Sequence, residues 1–274
     1  MTARYLFSVD LELSGLAAPA GARAEALVDV YLDFLDRRGA KGTFFVVGEA
    51  ARACPGAIRR IASGGHEIAC HSDHHLPLDR ETPASLRDGL ERCLEALAAA
   101  GATGVSGYRA PCFSLTSRTA WAYEVLAGLG FTYSSSVLPA RSPLYGWPGF
   151  GASPRRIDGI LELPVTLLPW RMLPVPMGGG VYLRALPAPL LRAAFSRRRR
   201  ADDAVLGYLH PYDIDVDSRG AAFDGVRSLG PSALLLRFNR ASVLPRLDSL
   251  LGSGFEIARY VDFAGEWLGG EQPR

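Results

Sequence analysis

The sequence predicts an α/β fold in which parallel strands close, or nearly close, into a barrel covered by helices. Short apolar runs rich in β-branched and aromatic residues alternate with longer stretches of helical period. Such alternation is typical of a parallel sheet, and seven or eight strands favour a barrel over an open sheet. Because no internal repeat or clear boundary divides the 274 residues, we expect a single domain over 1–274.

The predicted elements follow one another in a regular order. Strands are predicted at 5–9, 42–47, 66–70, 104–109, 131–135, 161–165, 204–210 and 255–260. Helices are predicted around 27–35 and at 82–101, 117–129, 186–197 and 240–251, from apolar residues three and four positions apart and from end signals. The Pro- and Gly-rich section at 139–159 predicts a loop over one rim of the barrel.

Composition excludes several classes of protein. A chain with 48% hydrophobic residues can build a substantial core, so it is neither disordered nor collagenous. The net charge of +2 gives no field that would favour nucleic acid as a partner. Its four cysteines are far apart, which argues against a disulfide framework. Without a signal peptide pattern or a transmembrane-length apolar run, we expect a cytoplasmic protein with no transmembrane segment.

Two carboxylates end the first predicted strand, in FSVDLE. Asp10 and Glu12 are two residues apart, so they project from the same face toward the barrel mouth, where active sites of such barrels lie. Neighbouring carboxylates raise each other's pKa unless a cation or an arginine separates them. The alternative is that one caps a helix and the other is solvated.

Four of the chain's five histidines lie in HEIACHSDHH, residues 66–75. The spacing of His71 and His75 predicts both imidazoles on one side of a helical turn, close enough to bind one metal ion. Two histidines and a carboxylate suit Zn²⁺, and equally Fe, Mn or Co. The alternative is a polar loop that is enriched in histidine by accident. We expect His66 to be structural, and His74 to face solvent or support the site.

Two more strand ends carry candidate residues. In RAP at 109–111, Arg109 could pair with a carboxylate and keep it ionised. In YLHPYDID at 208–215, His210 ends a late strand just before a proline. An ordinary hydrogen bond at the strand end is the alternative for that histidine.

Five motifs occur at strand ends in the order FSVDLE, TFFVVG, GHEIACHSDHH, GYRAPCFS and YLHPYDID. Together they resemble the polysaccharide deacetylase (NodB homology) family, carbohydrate esterase family 4, in a divergent bacterial branch. The resemblance covers about residues 5–215. It implies a distorted (β/α) barrel of about seven strands, related to the TIM barrel. It also implies hydrolysis of the N-acetyl group of an amino sugar with a divalent metal, Zn²⁺ first and Co, Fe or Mn as alternatives. Carried over by position, Asp10 is the catalytic base, Arg109 orients it, His210 is the general acid, and the metal ligands are Glu12, His71 and His75.

The residues agree with that chemistry. An amide needs an activated water, stabilisation of the oxyanion and a proton for the leaving nitrogen, and a metal with a base and an acid can supply these. The backbone N–H of Cys112 could complete an oxyanion hole, and Phe113 could form a wall of the substrate site.

The chain departs from the family pattern at three places, and one of them is Cys112, where many members carry an aromatic residue after the RxP proline. Glu12 is one methylene longer than the usual aspartate. The family's later Asp-Trp motif, whose aspartate tunes the acid histidine, is replaced by serines in FTYSSSVLP at 131–139. Asp213 and Asp215 are both open as substitutes.

A glycine-rich segment, PMGGGVYLR at 176–184, is a candidate border of the substrate site. Glycines allow close approach of backbone to a ligand, and a tyrosine can stack on a sugar, although a plain tight turn explains the glycines equally well. The candidate substrate-binding residues here are Gly178, Gly179, Gly180 and Tyr182.

Three functions are compatible with these residues. The first is a metal-dependent N-deacetylase of an amino sugar in a glycan, a glycolipid or a small biosynthetic intermediate. The second is another amide hydrolase on the same scaffold, either a deformylase of a lipid-linked amino sugar or an allantoinase-like enzyme. The third is a catalytically inactive carbohydrate-binding protein, which the presence of every candidate catalytic residue disfavours.

Overall fold

The computed structural model describes residues 3–170, 174–201, 203–218, 236, 238–252 and 254–270. In these ranges the paired strands are parallel, apart from one antiparallel hairpin. The predicted α/β class with a mostly parallel sheet is confirmed.

The strands are short and most of their residues are buried. They are β1 (Ala3–Leu6), β2 (Ser8–Leu11), β3 (Thr43–Val46), β4 (Glu67–Cys70), β5 (Gly107–Tyr108), β6 (Tyr133–Ser134), β7 (Arg155–Ile157), β8 (Ile160–Glu162), β9 (Val205–Leu206) and β10 (Phe255–Ala258). The helices are α1 (Ala20–Asp36), α2 (Gly48–Ala53), α3 (Pro55–Ser63), α4 (Pro83–Ala99), α5 (Ala122–Gly128), α6 (Gly180–Ala185), α7 (Ala188–Arg200), α8 (Pro211–Ile214), α9 (Val243–Leu251) and α10 (Tyr260–Leu268).

Two sheets build the distorted barrel. One has the order β2-β3-β4-β5-β6-β8-β7 and the other the order β10-β1-β9. A parallel bridge between Val9 and Leu209 places the chain after β9 beside β2. A second parallel bridge joins Gly179 to Tyr208. The C-terminal ends of β2, β4, β5 and β9 therefore meet at one rim.

The predicted first strand at 5–9 is wrong in one respect, because the chain forms two strands there. β1 pairs with β9 and β10, whereas β2 pairs with β3. Phe7 between them donates its N–H to Ala258 O and accepts from Thr43 N–H. The strand thus changes partners at Phe7, which an unbroken apolar run does not reveal.

The predicted loop at 139–159 is wrong at its end. Residues 155–157 form β7, which pairs antiparallel with β8. Asp158 and Gly159 join the two strands with φ of 49° and 87°. An Asp-Gly pair between two strands is a strong hairpin signal, so RIDGIL contained the information.

The barrel interior is filled by a cluster of apolar side chains. Its buried members are Leu6, Phe45, Ala69, Tyr133, Leu161, Leu163, Leu206, Tyr260, Phe263 and Ala264. The last three belong to α10, which the helical period did not predict. Tyr260 N–H donates to Thr43 Oγ1 and Val261 N–H to Glu67 Oε2, at the N-terminal ends of β3 and β4. The barrel is therefore closed at this end, and the site lies at the other.

The sequence also left α2 and α3 unpredicted, because each is short. No helix in the described ranges is both long enough and apolar enough to span a bilayer.

Candidate active site

Asp10 lies at the centre of the candidate site, near the end of β2. Its side chain is 3% exposed, and Oδ1 accepts a hydrogen bond of 2.5 Å from Arg109 Nη1. The other oxygen, Oδ2, is 4.0 Å from His71 Nε2 and 3.8 Å from His210 Nε2. One oxygen is therefore held by a cation, while the other faces two imidazoles that can border a substrate.

Arg109, just after β5, is fixed on all sides although it is fully buried. Its Nη1 also donates to Ser8 Oγ at 2.7 Å, and its Nε donates to Ser135 O at 3.1 Å. The guanidinium carbon lies 3.9 Å from the ring centroid of Phe45 on β3, where the cation is attracted to the ring face. These contacts hold the guanidinium against Asp10, and the role of Arg109 in orienting a catalytic base stays a prediction.

His71 and His75 lie near each other as expected, with ring centroids 5.1 Å apart. The predicted helical turn between them is wrong. Residues 71–75 form a loop in which Ser72 and His75 have φ of 67° and 53°, in the left-handed region that non-glycine residues rarely adopt. Ser72 Oγ accepts the N–H of His75 at 3.0 Å. The loop conformation, and not helical spacing, brings the rings together.

The chemistry of the donor set fits a divalent ion. His71 Nδ1 lies 2.8 Å from the carbonyl oxygen of Arg109, which orients the ring as metal-binding histidines are oriented in proteins. Burial lowers the pKa of His71 to about 4, so the imidazole is neutral, as a ligand must be. Glu12 Oε2 is buried and has no hydrogen bond of proper geometry within the described ranges. A buried carboxylate oxygen beside an imidazole is a donor that a divalent cation can use.

Glu12 and His75 are in direct contact, with 2.8 Å between Oε2 and Nε2. Burial would raise the pKa of Glu12, but the charge of His75 lowers it to about 2. Within the part of the chain that the structure describes, no three His, Cys, Asp or Glu side chains form a complete metal-ligand cluster. Of the three predicted ligands, His75 contacts Glu12 and lies beside His71, and the role of all three as ligands stays a prediction.

His210 follows β9 and opens the short helix α8. Its Nδ1 lies 3.1 Å from Asp213 Oδ2, and its ring stacks on Tyr212 with centroids 4.6 Å apart. Burial by itself would lower the pKa of His210, but the hydrogen bond and charge of Asp213, with the charges of Asp10 and Glu12, raise it to about 9. His210 is therefore protonated at neutral pH and can donate a proton from Nε2.

Of the two aspartates that were open as substitutes for the Asp-Trp partner, Asp213 is the one that contacts His210. Asp215, the other candidate, is instead bound to Arg23 and Ser218. The serines of the 131–139 segment act elsewhere, since Ser135 contacts Arg109 and Ser136 Oγ accepts the N–H of Ala110.

The remaining predicted residues lie around the rim. Cys112 is exposed and Phe113 half-buried, with its ring 4.8 Å from that of Tyr208. Tyr182 is half-buried in α6. The roles of these three residues in substrate binding stay predictions.

Each of Gly178, Gly179 and Gly180 adjoins the chain itself. A Cβ at these positions would lie 2.1 Å from Leu206 O, 2.4 Å from the Tyr208 ring and 2.1 Å from Asp213 Oδ2. Close internal packing therefore requires glycine here, and contact with a substrate stays a prediction.

The other two histidines lie outside the group. His66 is buried, and its Nδ1 accepts the N–H of Gly42 at 3.1 Å, in agreement with a structural role. His74 is exposed and contacts Glu49 and Asp73 at 2.6 and 3.0 Å.

Sequence reasoning missed several residues that support the site. Ser8, Phe45 and Ser135 hold Arg109, and Arg184 pairs with Asp213. Ser8 had a signal, because it shares a strand face with Asp10. The others come from distant segments and had none.

Two family profiles match the chain. Residues 19–133 match the polysaccharide deacetylase family, and residues 135–263 match a domain of unknown function, DUF3473. The second range includes His210, Asp213 and Arg184. Because the two profiles divide the chain between them, the expectation of one domain over 1–274 stays a prediction.

Curated relatives match parts of the chain. Over 60 residues, 38% are identical to the peptidoglycan-N-acetylmuramic acid deacetylase PdaA of Bacillus subtilis, covering 22% of this chain and 23% of that protein. Over 104 residues, 29% are identical to a chitooligosaccharide deacetylase of a Bradyrhizobium species, covering 38% of this chain and 48% of that protein. The matched regions are thus less than half the length of these relatives.

Among solved structures, one from Mycobacterium smegmatis that is assigned by inference as a polysaccharide deacetylase has a TM-score of 0.67 and 22% identity. The likeness covers 98% of this chain and 91% of that one. At this identity, it shows that the fold is shared.

Proposed function

We propose that the chain hydrolyses the acetamide of an N-acetylated amino sugar in a glycan, a glycolipid or a small biosynthetic intermediate, because residues 19–133 match the polysaccharide deacetylase family. The observation that carries the proposal is the placement of Asp10, with one oxygen held by Arg109 and the other facing His71 and His210. The two curated relatives, by their names, deacetylate peptidoglycan N-acetylmuramic acid and chitooligosaccharide, which are both N-acetylated amino sugars.

A divalent cation, Zn²⁺ first and Co, Fe or Mn as alternatives, would be held by Glu12, His71 and His75. When bound, such an ion acidifies water and polarises the acetyl oxygen. The buried oxygen of Glu12 beside His75 and the neutral, oriented imidazole of His71 support this assignment.

The protein's own residues then divide the proton transfers. Asp10 Oδ2 takes the proton of the attacking water, since Arg109 holds the other oxygen of that carboxylate. His210 Nε2 donates a proton to the departing nitrogen, which would otherwise leave as an unstable amide anion. The N–H of Cys112, at the rim just after β5, can donate to the developing oxyanion.

Activity should be lost on the alkaline side as His210 loses its proton. The pKa of His210 is raised to about 9, so the acid form is present at neutral pH and disappears as the pH rises through that value. We expect kcat/KM to fall about tenfold per pH unit above about 9. A profile over pH 6–11 with chitin oligosaccharides, checked by circular dichroism for folding at each pH, measures this limb. Undiminished activity at pH 11 would show that His210 is not the acid.

Release of acetate is the direct test of the reaction. Chelated enzyme should release no acetate, and added Zn²⁺ or Co²⁺ should restore release from at least one sugar in a panel of free, oligomeric, nucleotide-linked and lipid-linked N-acetylated sugars. Formate from an N-formyl sugar, or a ring-opened ureide from allantoin, would indicate the other amide hydrolases. If metal is bound and no acetate appears from any sugar, the deacetylase proposal fails.

A further inference from the structure

His210 is held at its Nδ1 side by a carboxylate from its own helical turn. Asp213 Oδ2 lies 3.1 Å from His210 Nδ1 and accepts the backbone N–H of His210 at 2.9 Å. With Nδ1 engaged, Nε2 is the atom that faces Asp10, at 3.8 Å. The geometry therefore fixes both which nitrogen can donate and where it points.

Asp213 is itself held from the opposite side. Its Oδ1 forms an ion pair with Arg184 of α6, and both side chains are fully buried. Arg184 Nη2 also donates to the carbonyl oxygen of Leu236. The carboxylate is thus clamped between a guanidinium and an imidazole and has little freedom to choose another rotamer.

Gly180 leaves the space in which this carboxylate lies. A Cβ at Gly180 would lie 2.1 Å from Asp213 Oδ2 and 2.3 Å from its Cγ, far inside van der Waals contact. Gly180 N–H also bonds to Tyr208 O at 3.0 Å, so the backbone cannot easily withdraw. A methyl group at this position would have to displace Asp213.

On the basis of the proposed function, we propose that Asp213 is a positioning residue for the acid step and that Gly180, by lacking a side chain, gives Asp213 its place. Asp213 selects the tautomer of His210 and stabilises its imidazolium, while Arg184 keeps Asp213 in position. Asp213, in the space that Gly180 leaves, thus takes the place of the aspartate in the absent Asp-Trp motif, which tunes the acid histidine. It lies within the 135–263 range, whose matching family has no assigned function.

A competing explanation is that Asp213 merely caps α8, because it accepts the N–H of His210. Two variants separate these roles. Asp213→Asn removes the charge at nearly constant shape, whereas Gly180→Ala keeps the charge and displaces it. Asp215→Asn is the matched control, since Asp215 is equally buried on the same segment but pairs with Arg23. Gly89→Ala controls for the added methyl group, because its nearest neighbour would lie at 3.7 Å.

The first measurement is the pKa of His210, from side-chain NMR on the chelated, uniformly labelled full chain. The second is kcat and KM for deacetylation of a soluble chitin oligosaccharide. In the wild-type protein, His210 should titrate near 9. The Asp213→Asn and Gly180→Ala variants should each lower this pKa by about one unit or more and lower kcat about tenfold or more, with KM changed less than about threefold. Both control variants should behave like the wild-type protein.

Wild-type titration of His210 in both folded test variants would overturn the proposal. So would a lowered pKa with unchanged kcat, because Asp213 would then not act through the acid step. If Asp213→Asn fails to fold, Gly180→Ala decides alone. A protein that releases no acetate from any sugar, yet shows these pKa shifts, fails the proposed function and still supports the positioning of His210 by Asp213.

Discussion

Replacing Asp10 with Asn should lower kcat by about 10³-fold or more while metal affinity stays close to that of the wild-type protein. The amide keeps the shape of the side chain but cannot accept the proton of water, and loss of a general base typically reduces turnover by about 10²- to 10⁴-fold. Asp10 Oδ2 is 4.0 Å from Nε2 of His71, one of the proposed ligands, so its charge is not expected to hold the ion. Acetate release and Zn²⁺ titration on the same preparation measure the two effects.

Glu12→Gln is the matched variant for this experiment. Glu12 lies two residues further along the same chain segment and is also buried, but its Oε2, which contacts His75, is the oxygen that we propose as a ligand of the ion. We therefore expect this variant to lose affinity for Zn²⁺ together with activity, and to recover part of the activity at high Zn²⁺. If Asp10→Asn turns over at the wild-type rate, Asp10 is not the base, and if both variants lose metal equally, the division of roles between them is wrong.

Replacing Arg109 with Met should destabilise the fold by about 3–5 kcal/mol and abolish activity. The guanidinium is 1% exposed and neutralises a carboxylate that is 3% exposed. Removing one partner of a buried ion pair leaves an uncompensated charge, which is a strongly destabilising change. Methionine preserves most of the apolar contact with Phe45, so the effect measured by urea denaturation reports mainly the lost pairing with Asp10.

Arg259→Met provides the comparison for stability. Arg259 pairs with Asp262 on the surface, with side chains 33% and 46% exposed, and exposed pairs contribute about 1 kcal/mol or less. The Arg109 variant should therefore unfold at a clearly lower urea concentration than the Arg259 variant. Equal midpoints for the two would mean that the Asp10–Arg109 pair is not an essential part of the core.

The prediction from sequence succeeded where the information is local. Asp10, His71 and Arg109 were identified because each directly ends or follows a strand with a clear apolar pattern, and parallel strands bring such ends to one rim. The same reasoning failed for β1 and β2, where a single apolar run changes partners at Phe7. The sequence reasoning also did not predict α10, because the position of this helix depends on the end of the barrel that it closes.

The loop at residues 71–75 shows how a correct pairing can have an incorrect reason. A spacing of four is typical of a helical turn, and it led to the correct neighbours. The chain instead uses two left-handed residues, Ser72 and His75. Sequence spacing limits how far apart two side chains can be, but backbone conformation decides how they meet.

The sequence by itself determined the class of fold, the order of the chemical groups along the barrel rim and the resemblance to a family whose profile residues 19–133 match, because these depend on strand patterns and on motifs of a few residues. Only the tertiary structure decided which aspartate serves His210. Asp213 and Asp215 are two residues apart in one segment, and nothing local separates them. Their roles differ because Arg184 and Gly180 adjoin the first, whereas Arg23 of α1 pairs with the second. Such partners come from distant parts of the chain, and only folding brings them together.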